Sequence, residues 1–180
     1  MLLVTNMKTR RPSFIITGPR GAGKSTLCMQ ILEYLRNHRK YAGGVITTQN
    51  SSKWLYLVQD DRKIRFEARS DEEYIQVGKF RVHKENMQHA VDQIMRSLEE
   101  EYLFIDEIGI LEMNKGGFYP GLEKAFLRED GNIFVVRESI QQEIMDSYFI
   151  NFDFQIIHLA NRQTKGSFDL ITSEIDKYPS

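Results

Sequence analysis

The chain has 180 residues, 41% of them apolar and 27% charged, enough for one domain with a full core and no compositional case for disorder. Its 24 basic and 25 acidic residues leave a formal net charge of -1, so electrostatics give no reason to expect nucleic acid or an anionic membrane as partner. The lone cysteine, Cys28, excludes an internal disulfide. The apolar start Leu2-Leu3-Val4 is too short for a signal-peptide core, and no run of about eighteen apolar residues occurs, so a cytoplasmic protein is expected.

Ser13-Phe14-Ile15-Ile16-Thr17 reads as a short buried strand ending at Gly18. Leu27, Cys28, Ile31, Leu32 and Leu35 then recur on one face, predicting a helix from about Ser25 with Cys28 as a small buried hydrophobe. Gly43-Gly44 opens a second strand, Val45 to Thr48. An insertion follows over about residues 50–82, in which Trp54 to Val58 and Ile64 to Phe66 flank the polar turn Asp60-Asp61 and predict a β-hairpin. Its charges are mixed in sign, the pattern of a solvated insertion rather than a binding patch.

From Glu85 onward, Met87, Ala90, Val91, Ile94, Met95 and Leu98 fall at helical spacing and read as a core face. Tyr102 to Ile105 is a strand that runs into Asp106-Glu107, and Pro120 suits the first turn of a helix turning Leu122, Ala125 and Phe126 inward. Asn132 to Val136 is a further strand. Ser139 with Gln142 has the spacing of a capping box for a helix through Ile144, Met145 and Tyr148. Phe154 to Leu159 is the last strand, and Ser167 is placed to cap a closing helix carrying Leu170, Ile171 and Ile175. Strands alternating with helices predict a mainly parallel sheet covered on both faces, built as one domain over residues 1–180.

Gly18-Pro19-Arg20-Gly21-Ala22-Gly23-Lys24-Ser25 meets the G-x-x-x-x-G-K-[ST] pattern at every fixed position, directly after a strand and before an amphipathic helix. A polyphosphate must be gripped without a bulky side chain intruding. Glycines let successive main-chain N–H groups turn inward on the anion, and the helix that begins there, through Thr26, adds the positive end of its dipole. In such a loop Lys24 meets the β- and γ-phosphates and the Ser25 hydroxyl ligates magnesium. The expected fold is therefore the three-layer α/β/α arrangement of P-loop NTPases, with a β-hairpin insertion.

Tyr102-Leu103-Phe104-Ile105-Asp106 is an apolar strand ending in a carboxylate, the Walker-B arrangement, which assigns Asp106 to magnesium. Glu107 follows at once and is placed to polarise an attacking water. Glu112 competes for that task, with a solvated loop acid as its plainer reading.

Four segments in order extend this pattern: Gly43-Gly44-Val45-x-Thr47, Val77-Gly78-Lys79-Phe80-x-Val82, Asp106-Glu107-Ile108-Gly109-x-x-Glu112, and Asn161-Arg162 after the last strand. Together with the glycine loop they resemble the THEP-type nucleoside-triphosphatases, small single-domain P-loop proteins related in fold to nucleotide kinases. The resemblance spans about Phe14 to Arg162. It implies magnesium-dependent hydrolysis of nucleoside triphosphates to diphosphate and phosphate, with broad base tolerance, and sets Asn161 and Arg162 beside the base, where a turn Asn and a surface Arg are the alternative. The chain departs from the family at Val45, where Phe is usual, and at Gln49, where a Glu followed by an Arg is usual.

Neither Asn114-Lys115-Gly116-Gly117 nor Thr164-Lys165-Gly166-Ser167 carries the Asp of a guanine-reading element, so GTP specificity is not expected. Arg20, Arg128, Arg137 and Arg162 are the candidate in-chain cations for the transferring phosphoryl group. His38, His83, His89 and His158 show no metal-ligand spacing. Three functions fit: hydrolysis of ATP, GTP and other nucleoside triphosphates, with Lys24 and Glu107 as catalytic residues; a small-molecule or nucleotide kinase using the same loop; and a nucleotide-dependent switch or scaffold.

Overall fold

The computed structural model describes residues 10–49, 52–77, 80–149, 153–161 and 164–178, with Val77 and Phe80 described by their backbone alone. Gly78, Lys79 and Arg162 lie outside that set, as does Leu2-Leu3-Val4.

Seven strands form the main sheet: β1 Ser13–Thr17, β2 Ala42–Gln49, β3 Lys53–Leu57, β4 Arg62–Arg65, β7 Tyr102–Ile108, β8 Asn132–Val136 and β9 Phe154–His158. Their spatial order is β4-β3-β2-β7-β8-β1-β9. β2, β7, β8, β1 and β9 run parallel, while β3 and β4 extend the sheet antiparallel beyond β2. All five parallel strands thus point their C-terminal ends to one edge, where such sheets bind ligands.

Each crossover between parallel strands contains a helix, and a last helix follows β9. α1 is Lys24–Asn37, α2 Lys84–Arg96, α3 Ile110–Met113, α4 Tyr119–Ala125, α5 Gln141–Tyr148 and α6 Lys165–Ile175. Side chains alternate across β1: Ile15 joins the layer of α2, α4 and α5 through Met87, Leu122 and Ile144. Phe14 and Ile16 join the layer of α1 and α6 through Leu27, Ile31 and Ile171. Burial on both faces explains why these strands read as unbroken apolar runs. Each fully buried Leu, Ile or Phe contributes about 1.5–3 kcal/mol relative to exposure.

Gly44 is fixed by close approach. Its φ is +97°, and a Cβ there would lie 2.0 Å from the Phe104 carbonyl oxygen. Only glycine lets β2 lie so tightly against β7.

The predicted hairpin forms as β3 and β4, with Asp61 at its turn taking a positive φ of 48°. It enlarges the main sheet instead of standing apart from it. A second ribbon, β5 Tyr74–Val77 with β6 Phe80–His83, was not separately legible and hangs from the first through His83 N–H to the Phe66 carbonyl at 2.9 Å.

Three local expectations are corrected. Ser139 lies in a 3-10 turn, Glu138–Ile140, and α5 begins without a side-chain cap. Ser167 sits inside α6, whose N-cap is Thr164. Met95 is 41% exposed, and Gln93 is turned inward in its place. Gln93 donates to Gln59 Oε1 at 2.6 Å and to Ser97 Oγ at 3.2 Å, while Ser97 Oγ accepts the Gly44 amide at 2.8 Å. A satisfied polar network holds the place that apolar periodicity assigned to methionine.

Candidate active site

Thr17 ends β1 and the chain turns through Gly18 (φ +134°), Gly21 (+80°) and Gly23 (+97°) into α1. A Cβ on Gly18 would lie 2.2 Å from the Leu159 carbonyl oxygen, so the loop's first residue is clamped against the end of β9. Ala22 N–H donates to the Pro19 carbonyl at 3.2 Å, and Leu27 N–H makes the first helical bond to Gly23 at 2.9 Å. α1 has no side-chain cap and no acid in its first turn, which leaves the amides of Lys24, Ser25 and Thr26 to an external anion. Lys24 Nζ donates to the Gly18 and Pro19 carbonyls at 2.7 and 2.9 Å, holding the ammonium across the loop. Pro19, Arg20, Gly21 and Thr26 are exposed around it.

β8 lies between β1 and β7, yet the carboxylate of β7 still reaches the loop. Asp106, 2% exposed, accepts a hydrogen bond from the Ser25 side chain and another from Thr47 N–H at 3.2 Å. The Thr47 hydroxyl donates to the Asp106 main-chain oxygen, which ties the end of β2 to the same spot. Burial pushes the Asp106 carboxyl up to about 7, against the Ser25 hydrogen bond that pulls it down; the Glu107 charge raises it further and the Lys53 charge lowers it. A buried carboxylate beside a hydroxyl is a pair of hard oxygen donors short of positive charge, which fits a magnesium ion.

Glu107, the next residue, is 25% exposed on its side chain and is reached from two sides. Arg137, immediately after β8, donates from Nε to Oε1 at 3.1 Å; Lys53 Nζ, at the start of β3, stands 3.9 Å from Oε2. Glu112 is engaged differently. It is buried, with Oε2 accepting the Gly109 amide at 2.9 Å and Oε1 the Phe118 amide at 3.2 Å, closing a cap on α3. Burial pushes its carboxyl up, those amides drawing it back. The structure thus removes the solvated-acid reading of Glu112, whereas Glu107 keeps a partly exposed carboxylate.

The candidate arginines separate as clearly. Arg128 is consumed far from the loop, bonding Asn132 Oδ1 at 3.0 Å and the carbonyls of Leu98 and Glu100. Arg20 is exposed in the loop, and Arg137 alone of the described three touches a site carboxylate. Asn161 is exposed two residues beyond Leu159, on the edge that carries Gly18. Among the described residues no three His, Cys, Asp or Glu side chains gather as a metal cluster.

Sequence reasoning missed Lys53 and the role of Thr47 as a partner of Asp106. Both depend on the β2–β3 and β2–β7 registers, which pair Gln49 with Lys53 and Val45 with Ile105.

A strand, a glycine loop, a helix N-terminus and an acid on a second parallel strand define a P-loop nucleoside-triphosphate-binding protein. The model of the NTPase family matches residues 13–172, and the chain belongs to that family. Among relatives, the nucleoside-triphosphatase THEP1 of Methanopyrus kandleri is 24% identical over 144 residues, covering 73% of this chain and 76% of its own. That of Archaeoglobus fulgidus is 25% identical over 159 residues, with 82% and 90% covered. The crystal structure of THEP1 from Aquifex aeolicus superposes with a TM-score of 0.73 at 20% identity, over 91% of this chain and 99% of that one. The solution structure of a human cancer-related nucleoside triphosphatase gives 0.67 at 16% identity, over 94% and 100%. These two likenesses bear on the fold, a mostly parallel central sheet between helices.

Proposed function

We propose that this protein is a magnesium-dependent nucleoside-triphosphatase that releases the γ-phosphate of ATP, GTP and other nucleoside triphosphates with little preference for the base. The observation that carries the reading is the convergence of Ser25 on buried Asp106 with Glu107 adjacent, because it joins an anion cradle to a cation site and an acid. Gly18 to Thr26 wrap the phosphates, Lys24 turns from the loop carbonyls to the β- and γ-phosphates, and Ser25 and Asp106 would hold a magnesium ion. When bound, the ion would supply positive charge against the polyphosphate.

Glu107 accepts a proton from water as the water oxygen attacks the γ-phosphorus. The bond from that phosphorus to the β–γ bridging oxygen breaks, and nucleoside diphosphate and inorganic phosphate leave. Arg137, held at the end of β8 by Glu107, supplies the cation that meets charge spreading over the equatorial oxygens. Asn161, exposed just past β9, flanks the base in this reading, and the matching expectation for Arg162 lies outside the described residues. Neither Asn114-Lys115-Gly116-Gly117 nor Thr164-Lys165-Gly166-Ser167 carries the Asp of a guanine-reading element, in keeping with a substrate range not confined to GTP. No helix among the described residues is long and apolar enough to cross a membrane, in keeping with a cytoplasmic enzyme acting on free nucleotides.

Glu107→Gln tests the assignment. Phosphate release should fall by about 100-fold or more while Mg-nucleotide binding stays within about 3-fold. An unchanged rate removes Glu107 as the base.

A further inference from the structure

We propose that Lys53 is a positioning residue of the active site, delivered by the hairpin to hold Glu107 against Arg137. This rests on the reading of Glu107 as the residue that orients water. β2 continues past its last pairing with β7 at Val45–Ile105, and β3 returns antiparallel with Lys53 opposite Gln49. That register brings the first residue of the hairpin back to the edge where Thr47 meets Asp106.

Lys53 is 24% exposed on its side chain, with its ammonium 3.9 Å from Glu107 Oε2 and 4.5 Å from the centre of the Phe66 ring. The ring closes one side of the lysine and fixes its reach. Arg137 takes the other oxygen of the same carboxylate at 3.1 Å. A carboxylate hydrogen-bonded at one oxygen from the end of β8, with an ammonium 3.9 Å from the other at the start of β3, is restrained from two sides, whereas one bonded at a single oxygen swings. Orientation is what a water-activating group needs, and a displacement of about 1 Å costs on the order of 100-fold in rate. The hairpin, whose mixed charges look like those of a solvated decoration, is thereby part of the catalytic apparatus.

The test compares Lys53→Met, Lys53→Arg and Glu107→Gln singly, and Lys53→Met with Glu107→Gln together. Methionine keeps the aliphatic packing on Phe66, and thermal melts confirm each variant folded. Lys53→Met should lower kcat about 10- to 100-fold with KM and Mg-nucleotide affinity within about 3-fold, and Lys53→Arg should restore most of the rate. In the Glu107→Gln background, Lys53→Met should cost nothing further, because the lysine acts through that carboxylate. Lys63→Met, on the exposed face of β4, should match wild type.

A wild-type rate for Lys53→Met, with Glu107→Gln inactive, overturns the inference and leaves the base assignment standing. Full activity of Glu107→Gln overturns both. Selective loss of triphosphate over diphosphate affinity in Lys53→Met contradicts the positioning role, since the lysine would then contact the γ-phosphate itself.

Discussion

Two glutamates five residues apart are assigned opposite tasks, and substituting each separates them. In Glu112→Ala, the buried amides of Gly109 and Phe118 lose their acceptors at 2.9 and 3.2 Å. Each orphaned donor costs about 1–3 kcal/mol, and relief of the desolvated carboxyl, whose pKa burial has pushed up, offsets part of the sum. A net loss of about 3 kcal/mol is expected. For a chain of this size that lowers Tm by about 6–12 °C. Glu107 is a partly exposed ion-pair partner, so Glu107→Gln should move Tm by less than about 3 °C. Thermal melts followed by phosphate release at 25 °C, well below either transition, read both quantities. Glu112→Ala should keep its rate within about 10-fold, and Glu107→Gln should lose about 100-fold or more. A stable, inactive Glu112→Ala beside an active, destabilised Glu107→Gln refutes the assignment.

Asp106→Asn removes a carboxylate that burial disfavours in its charged form, so Tm without magnesium should hold or rise while phosphate release falls about 100-fold; a lower Tm with full activity contradicts the metal role. Ser25→Ala should raise the magnesium concentration for half-maximal rate by about 10-fold, read from a magnesium titration at saturating nucleotide. Glu72 is held down to about 2, first by the Arg65 hydrogen bond and then by the Arg69 amide. Its folded pKa lies below the unfolded one, so its contribution is complete above about 4.3 and fades as pH falls through about 2. Urea midpoints should therefore fall less steeply with acidification in Glu72→Gln than in wild type, and parallel curves contradict the pairing. Gly44→Ala should lower Tm, because its methyl meets the Phe104 carbonyl oxygen, and an unchanged Tm would show that β2 and β7 can part at no cost.

The layers and the phosphate loop were legible because they rest on local signals. Phe14-Ile15-Ile16 is apolar throughout because both faces of β1 are covered, and Gly18 to Ser25 fix a backbone path by residue type alone. What sequence withheld depends on pairing at a distance. Lys53 is indistinguishable from any surface lysine until the β2–β3 register returns it to Glu107. Gln93 takes an inward place because Gln59 and Ser97, from other turns of chain, complete its hydrogen bonds. Ser139 and Ser167 had capping chemistry at helical spacing, but a 3-10 turn over Glu138–Ile140 delays α5 to Gln141 and α6 already begins at Lys165 after Thr164. Sequence favoured Glu107 from its place directly after Asp106 but kept Glu112 as a competitor, and the two amides aimed at Glu112 are what give it a capping place.

The most direct test of the account is phosphate release from four ribonucleoside triphosphates, with magnesium or with a chelator, by wild type and Lys24→Ala. Wild type should release phosphate from all four only with magnesium and without any added acceptor, and Lys24→Ala should be inactive on each. Equal rates for the two proteins, or turnover that appears only when a phosphate acceptor is supplied, would contradict it.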